Sequence, residues 1–264
     1  MGQGYNIYCD GIELNFFVNS ERCESNTDHC HDRVEITYLL SASGKYIIEG
    51  NEYEASSGML LLISPMSYHR VELNSDTEGF TVYFDRECLP SSVSNMLDRM
   101  TDGGQNHELV FSKERLSDHL IGCFERFSLA ERLNDNEKAA YMQALLSEIV
   151  ILLSASNGEQ LARSTDELGA RVAAYINSNI EKSISLERLA RRFFVSKYHL
   201  CRAFKSYAGI SPHAYINQKR IIHAKRLIDS GMTAAGAADR VGFGDYSAFY
   251  RAYTKIVGKS PTAE

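Results

Sequence analysis

The chain has no tryptophan, only four prolines and no long apolar run among its 264 residues. An uninterrupted apolar run of about 18 residues is the signature of a membrane-spanning helix. Since no stretch approaches that length, we expect no membrane partner. The N-terminal sequence MGQGYNIYCDGIELNFF also lacks the basic and apolar regions of a secretory signal. We therefore expect a cytoplasmic protein.

The cysteines of the chain form no CxxC pair and have no regular spacing. They are Cys9, Cys23, Cys30, Cys88, Cys123 and Cys201. In a chain without an export signal, such cysteines are typical of reduced, buried thiols. This excludes a small secreted scaffold that depends on disulfide bonds.

The net charge of −6 would argue against a nucleic-acid partner if it were evenly spread. Residues 166–264, however, carry 16 Lys and Arg against 8 Asp and Glu, a net charge of +8, whereas residues 1–165 carry −14. Such asymmetry indicates a nucleic-acid-binding end, because basic side chains release the counterions condensed on phosphate. A solvated lysine-rich surface gives the same pattern, so charge alone leaves both interpretations open.

The first ninety residues predict an antiparallel β-domain. Runs of β-branched and aromatic residues alternate with turn sequences such as SASGK and NSDTEG. The predicted strands are NFFV near Asn15, Val34–Leu40, Lys45–Gly50, Gly58–Ile63 and Phe80–Phe84. Short strands at this spacing indicate a sandwich or a barrel.

Two amphipathic helices are predicted after the strands, over Ser112–Leu129 and Glu137–Leu153. The second has apolar residues close to the a/d spacing of a helical seam. Either the sheet domain or a second copy of the hairpin must cover so apolar a seam. Residues 112–153 are therefore a candidate homodimer interface, with packing in the domain core as the alternative.

From residue 166 onward the sequence is helical. Residues 156–165, SNGEQLARST, have no periodicity and predict a linker. Six helices follow, and their candidate N-caps are Ser164, Thr165 or Asp166 for the first and Ser185, Ser196, Ser211, Thr233 and Asp245 for the others. The predicted domains are 1–155, with the linker at 156–165, and 166–264.

Two pairs of these helices share one design. ISLERLARRFFVSKYHLCRAFK and MTAAGAADRVGFGDYSAFYRAYTK each contain a short helix with small residues, a polar cap and a second helix with an arginine at a matching place. Small residues let two helices cross closely, as a helix-turn-helix requires. The pattern therefore predicts two helix-turn-helix units.

Residues from about 168 to 261 resemble the DNA-binding domain of the AraC/XylS family of bacterial regulators. The matching stretches are SLERLARRFFVSKYHLCRAFKSYAGISPHAYINQKRIIHAKRLI and, more specifically, GFGDYSAFYRAYTKIVGKSP. The resemblance implies that both second helices enter successive major grooves of double-stranded DNA. It also implies RNA polymerase as a partner.

Carried over position by position, the resemblance gives two sets of candidate DNA-binding residues. The base-facing candidates are Tyr198, Cys201, Arg202, Tyr246, Ser247, Tyr250 and Arg251. The phosphate-binding candidates, which position the protein without specifying a sequence, are Lys197, Lys205, Lys219 and Lys255. A surface salt bridge is the alternative role for each arginine. Cys201 departs from the family, in which a longer polar residue is usual at that place.

A histidine-rich stretch lies near the predicted strands. His29–Glu35 reads H-x-H-x3-E, and Gly58, Pro65 and His69 follow it. The pair resembles the two cupin motifs of a small jelly-roll barrel, although the second motif is one residue short between Pro65 and His69. His29, His31 and Glu35 share one parity, so on a continuous strand all three point into the barrel.

A barrel of this size has room for one small ligand. The candidate effector-pocket residues are His29, His31, Glu35, Tyr38, Tyr46, His69 and Tyr83. Aromatic and polar side chains together suit a sugar or another polar metabolite. Two alternative roles are open for His29, His31, Glu35 and His69: a structural role, or an N3O metal site. A further alternative is a soft metal or redox site formed by Cys23 and Cys30. We expect no cofactor.

The expected fold is an N-terminal all-β cupin-like jelly roll with a helical hairpin, followed by a C-terminal all-α double helix-turn-helix domain. The expected function is an AraC-type, sequence-specific transcription regulator that responds to a small-molecule effector and is not an enzyme. Two alternatives remain. One is a cupin enzyme with a fused DNA-binding domain, and the other is a constitutive DNA-binding protein with an N-terminal domain used only for interaction.

Overall fold

A computed structural model describes residues 4–18, 29–74, 76–101, 108–156 and 168–262. The chain divides into two compact units. The first holds most of the chain up to Arg163, and the second runs from Ser164 onward and includes the short segments Cys30–Asp32 and Glu49–Asn51. Cys23, the predicted linker after Ser156 and the predicted caps Ser164, Thr165 and Asp166 lie outside the described residues.

The described part of the first unit contains nine strands in two antiparallel sheets. The strands are β1 (Tyr5–Cys9), β2 (Ile12–Val18), β3 (Val34–Ser41), β4 (Ser43–Ile48), β5 (Asn51–Ser56), β6 (Leu60–Ile63), β7 (His69–Leu73), β8 (Glu78–Phe84) and β9 (Glu108–Phe111). One sheet has the order β1-β2-β8-β3-β6-β9, and the other has the order β5-β4-β7. The two sheets confirm the predicted antiparallel β-domain.

The six-stranded sheet separates two cores. Because side chains alternate along a strand, Val34, Ile36 and Tyr38 of β3 point to a core shared with helices. Leu39 points the other way, into a core shared with the three-stranded sheet. We call the first the helix-facing core and the second the inter-sheet core.

Three helices pack on the helix-facing side of the large sheet. They are α1 (Ser91–Met100), α2 (Asp118–Arg126) and α3 (Asp135–Ala155). α2 is shorter than the predicted helix Ser112–Leu129, because Ser117 caps it by accepting a hydrogen bond from the Leu120 N–H at 3.2 Å. Short 3-10 turns flank it at Lys113–Arg115 and Phe127–Arg132.

The apolar seam of α3 lies in the helix-facing core. Its six buried side chains are Met142, Leu145, Leu146, Ile149, Val150 and Leu153. The domain itself therefore covers this seam, as the core-packing interpretation predicts, and these six side chains are not free to form the candidate homodimer interface. By length and composition alone α3 could cross a membrane; its packing in the core accounts for the same composition.

The second unit contains six helices within its described residues, as the sequence predicts. They are α4 (Leu168–Asn177), α5 (Leu186–Arg192), α6 (Lys197–Ala208), α7 (Pro212–Asp229), α8 (Ala234–Arg240) and α9 (Tyr246–Val257). The predicted caps of the last five each accept a backbone N–H bond from the first turn; they are Ser185, Ser196, Ser211, Thr233 and Asp245. The six-helix organisation is therefore encoded largely by local capping.

α5 with α6 and α8 with α9 form the two helix-turn-helix units, and α7 connects them. Ile221 and Ala224 of α7 share a core with Phe249 and Tyr253 of α9. At the other unit, the Phe204 ring of α6 packs edge-on against Tyr215 of α7, with 5.2 Å between ring centroids. α7 therefore serves as the common support of both second helices.

Candidate DNA interface and ligand site

The second helix of the first unit, α6, presents a polar face to solvent. Tyr198, Arg202 and Lys205 are exposed and follow each other at intervals of four and three residues, so they lie on one side of the helix. Tyr198 is 78% exposed, although tyrosine is usually at least half buried in a folded domain. Cys201 is only partly exposed beside them.

The second helix of the other unit, α9, presents the matching face. Tyr246, Ser247, Tyr250 and Arg251 are all exposed, while Phe249 is fully buried. The spacing 246/250 and 247/251 places two i, i+4 pairs side by side on this surface. The structure therefore brings all the sequence-predicted base-facing residues of α9 onto one accessible face.

Three of the four predicted phosphate-binding lysines are exposed. Lys205 and Lys255 face solvent, and exposed Lys197 forms a 2.8 Å surface ion pair with Glu187. Lys219 is only 3% exposed, and its Nζ lies 4.9 Å from the centroid of the Tyr215 ring one turn earlier in α7. The expectation for Lys219 is therefore wrong, because it lies on the buried side of the central helix.

Arg220 is a functional candidate that the sequence interpretation missed. Its guanidinium donates to the carbonyl oxygens of Ile180 at 3.1 Å, Lys182 at 2.7 Å and Gly242 at 2.9 Å. It thus ties α7 to the chain before α5 and to the turn between α8 and α9. Burial lowers the pKa of Arg220, but a guanidinium stays charged at neutral pH. A single arginine within the long helix α7 forms no sequence pattern from which these contacts could have been predicted.

Gly242 is suited to this contact by its conformation. It has φ of +82°, and a Cβ at this position would lie 2.9 Å from the Arg220 guanidinium. Glycine is the residue that adopts positive φ without steric cost and lets a side chain approach the backbone closely. Of two further glycines in the second helix-turn-helix unit, Gly236 lies inside α8 and Gly244 lies in the turn before α9, so of these two only Gly236 weakens a helix.

The inter-sheet core of the first unit contains a chain of buried polar side chains. Thr37 Oγ1 donates to Glu35 Oε1 at 2.8 Å, and it lies 2.9 Å from Thr81 Oγ1. Glu35 Oε2 lies 3.4 Å from His69 Nε2, with both side chains buried. Burying polar groups is costly unless they are paired. These connected polar side chains are therefore the part of the sandwich interior that is chemically distinct from the apolar core around it.

Two of the predicted pocket tyrosines share this interior and one does not. Tyr46 is buried in the inter-sheet core, and Tyr83 pairs with Glu35 in the strand register, so the two point to the same side of the sheet. Tyr38 is on the opposite face of β3, where its ring stacks on Phe124 at 5.4 Å. The expectation that Tyr38 lines the pocket is therefore wrong, because strand alternation separates it from Glu35.

His29, His31 and His69 each offer a ring nitrogen within 4.8 Å of the others. Among the residues that the structure describes, these three histidines form the group that could hold a metal ion, and Glu35 is not part of it. Cys30 lies between His29 and His31 but is buried, and burial raises the pKa of its thiol to about 12. A thiol that keeps its proton is a poor soft-metal or redox ligand, which argues against the cysteine alternative.

The two units define a class of protein: a DNA-binding module with two helix-turn-helix units follows a β-sandwich domain with a polar interior. The chain belongs to the AraC family of transcription regulators, since the family described as AraC-like ligand binding domain matches residues 21–169. The family described as helix-turn-helix domain matches residues 189–263. The protein is therefore an AraC-type transcription regulator with an N-terminal ligand-binding domain.

The chain is similar in sequence to several curated proteins over most of its length. The uncharacterized HTH-type transcriptional regulator YbfI of Bacillus subtilis is 26% identical over 234 residues, which cover 83% of this chain and 80% of the relative. The HTH-type transcriptional activator RhaS of Escherichia fergusonii is 23% identical over 240 residues, which cover 89% and 85%. The crystal structure of ToxT from Vibrio cholerae O395 is 15% identical with a TM-score of 0.42, and the match covers 98% of this chain and 94% of that one.

Proposed function

We propose that this regulator reads DNA sequence through α6 and α9 and that its N-terminal domain controls that binding from a site between the two sheets. The observation that carries the DNA assignment is the matched pair of exposed faces, each with at least one tyrosine and one arginine. Arginine can bind guanine O6 and N7 together, which gives about 1–3 kcal/mol of discrimination between bases. Arg202 and Arg251 are thus the principal readers.

The base-reading set comprises Tyr198, Cys201, Arg202, Tyr246, Ser247, Tyr250 and Arg251. The phosphate-binding set comprises Lys197, Lys205 and Lys255. The effector site comprises Glu35, Tyr46, His69 and Tyr83, with His29 and His31 beside them. Buried hydroxyl, carboxylate and imidazole groups suit a small polar metabolite such as a sugar, because each can exchange hydrogen bonds with ligand hydroxyls.

We further propose that the protein acts as a cytoplasmic homodimer, contacts RNA polymerase and has no enzymatic activity of its own. Two copies would bind paired sites, and the effector would shift the balance between two arrangements by binding one of them better. The dimer contact would use the outward face of α3, where Ala140, Ala144 and Ile151 are exposed. Residues on the buried seam are already packed inside the domain.

Arginine and lysine substitutions should separate sequence reading from phosphate binding. Arg202→Ala and Arg251→Ala should each relax base preference at a few positions by about 1–3 kcal/mol, because a paired contact to one base is lost. Lys205→Ala should weaken binding equally for all sequences and lower the log–log salt slope by about 1. Binding of a pool of mutated sites, measured at several salt concentrations, distinguishes the two. Unchanged base preference in both arginine variants would remove α6 and α9 from the reading surface.

A further inference from the structure

The turn that ends α5 has a phenylalanine at its central position. The Val195 N–H donates to the Ala190 carbonyl oxygen at 3.0 Å, and the Phe194 N–H donates to the Arg191 carbonyl oxygen at 3.3 Å. This pair of bonds defines a Schellman turn, whose central residue adopts the left-handed conformation and is usually glycine. Phe194 adopts that conformation, with φ of +56°. The turn therefore contains a bulky side chain where its geometry favours glycine.

The second helix-turn-helix unit forms the same turn with glycine. After α8, the Phe243 N–H donates to the Ala238 carbonyl oxygen, and the Gly242 N–H donates to the Asp239 carbonyl oxygen, both at 3.0 Å. Gly242 has φ of +82°, which costs a glycine nothing. Because the two units repeat one design in a single chain, Gly242 shows that the turn itself does not require the side chain of Phe194.

The ring of Phe194 also contributes nothing to the core of its unit. It is 94% exposed, and no large apolar side chain in the described part of the chain is more exposed. Tyr198 follows four residues later and is 78% exposed. Backbone strain that packing does not offset is concentrated at functional sites. The position of Phe194 therefore points to a contact outside the protein.

Phe194 lies next to the N-terminal end of α6, the first of the two proposed reading helices. Ser196, the N-cap of α6, is only two residues further along, and two residues of extended chain span at most about 7 Å. The N-terminal residues of such a helix contact base edges in the major groove. Residues 188–228 carry ten Lys and Arg and no Asp or Glu, so the chain around Phe194 favours a polyanionic partner.

The chemistry of the phenylalanine side chain limits what it can contact on duplex DNA. It has no hydrogen-bond donor or acceptor, so it neither binds phosphate through hydrogen bonds nor reads the polar groups of base edges. The apolar group that a base pair presents in the major groove is the C5-methyl group of thymine, and phenylalanine is one of the side chains that contact it. An exposed ring beside the groove is therefore suited to a thymine.

We propose that Phe194 is a specificity-determining residue that contacts the methyl group of one thymine at the edge of the sequence read by α6. The inference rests on the proposed reading role of α6 and adds a contact from the turn that precedes the helix. Gly242 has no side chain for such a contact, so the thymine preference belongs to the first unit alone.

The test uses the full-length chain and a duplex with its selected site, in which each thymine is replaced in turn by deoxyuridine, a change that removes only the methyl group. One replacement in the half-site whose base preference Arg202→Ala relaxes should weaken binding of the parent about 3- to 5-fold, the factor expected for one buried methyl-sized group. Phe194→Gly, which suits the turn, should be insensitive to that replacement, whereas Phe194→Leu should keep part of the effect. Met232→Ala, at an exposed apolar residue before α8, is the matched control and should respond as the parent does.

Two results would overturn the proposal: a parent chain that is insensitive to every replacement in this half-site, or a Phe194→Gly variant that loses as much affinity as the parent at the same thymine. A Phe194→Gly variant that binds all duplexes as the parent does but fails to regulate transcription would also overturn it, and would assign the ring to a protein partner. Failure of the proposed function is a different result, in which the chain selects no DNA sequence from a random pool and both proposals are wrong.

Discussion

Phe194, in the turn between α5 and α6, holds a conformation that its side chain disfavours. Its φ is +56°, in the left-handed region, and its side chain is 94% exposed. The left-handed conformation costs an ordinary residue about 1–2 kcal/mol. Because the Phe194 side chain is exposed, burial of apolar surface does not offset this cost. Its neighbour Phe193 instead packs on Tyr175 with 6.1 Å between ring centroids.

Replacing Phe194 by asparagine should stabilise the protein. Asparagine adopts the left-handed conformation more readily, so Phe194→Asn should gain about 1 kcal/mol and raise the Tm by about 2–4 °C. Tyr198→Asn is the matched control, since it also removes an exposed aromatic ring but from a helical backbone, where asparagine is the poorer helix former. Thermal unfolding measures both; an equal loss of Tm in the two variants would contradict the explanation.

At the scale of single side chains, the sequence predicts the chemical type of a site residue better than it predicts which way its side chain points. Parity within β3 places Glu35 toward the sandwich interior. However, β3 begins at Val34, so His29 and His31 do not lie on the continuous strand that the parity argument assumed. Tyr38 was misplaced because it is three residues from Glu35 and hence on the opposite face. Lys219 was misplaced because its burial depends on tertiary packing, which the pattern within one helix does not show.

At the scale of elements, strand prediction follows position in the sheet. The five predicted strands correspond to β2, β3, β4, β6 and β8, all of which have a neighbour on each side. The four strands that were not predicted, β1, β5, β7 and β9, are sheet edges. Two of these edge strands, β5 (NEYEAS) and β7 (HRVEL), carry many polar residues, so the apolar pattern that marks a strand is weak in them.

The geometry of the two helix-turn-helix units depends on Arg220. Arg220→Met keeps much of the side-chain volume but leaves three backbone carbonyls without this donor, so we expect a loss of about 3 kcal/mol in the free energy of unfolding. DNA sites that engage both units should lose more affinity than sites that engage one. Calorimetry and binding to whole and half sites measure these effects.

Arg240→Met is the matched control for Arg220→Met. Arg240 is largely exposed and forms a 3.4 Å surface ion pair with Glu181, and such pairs contribute only about 0–1 kcal/mol. If both variants unfold with the same free energy, the hydrogen bonds of Arg220 do not stabilise the arrangement of the two units.

At the scale of the whole molecule, dimerisation is the first consequence to test. A charge on the outward face of α3 should disrupt a contact that excludes water, so Ala144→Glu should shift the chain from dimer to monomer without lowering its Tm. Ala235→Glu, at an exposed position of α8, is the matched control and should stay dimeric. Light scattering over a range of concentrations measures the mass; a dimer that persists in Ala144→Glu would exclude this face as the interface.

In the proposed function, a ligand-binding domain controls sequence-specific DNA binding by the same chain. Selection of bound DNA from a random pool, with and without cell extract as a source of effector, measures both properties together. We expect two short motifs about 10–10.5 base pairs apart, the spacing of successive major grooves on one face, and we expect the enrichment or pairing of sites to change when extract is added. Selection of unrelated sequences, or the same enrichment with and without extract, would contradict it.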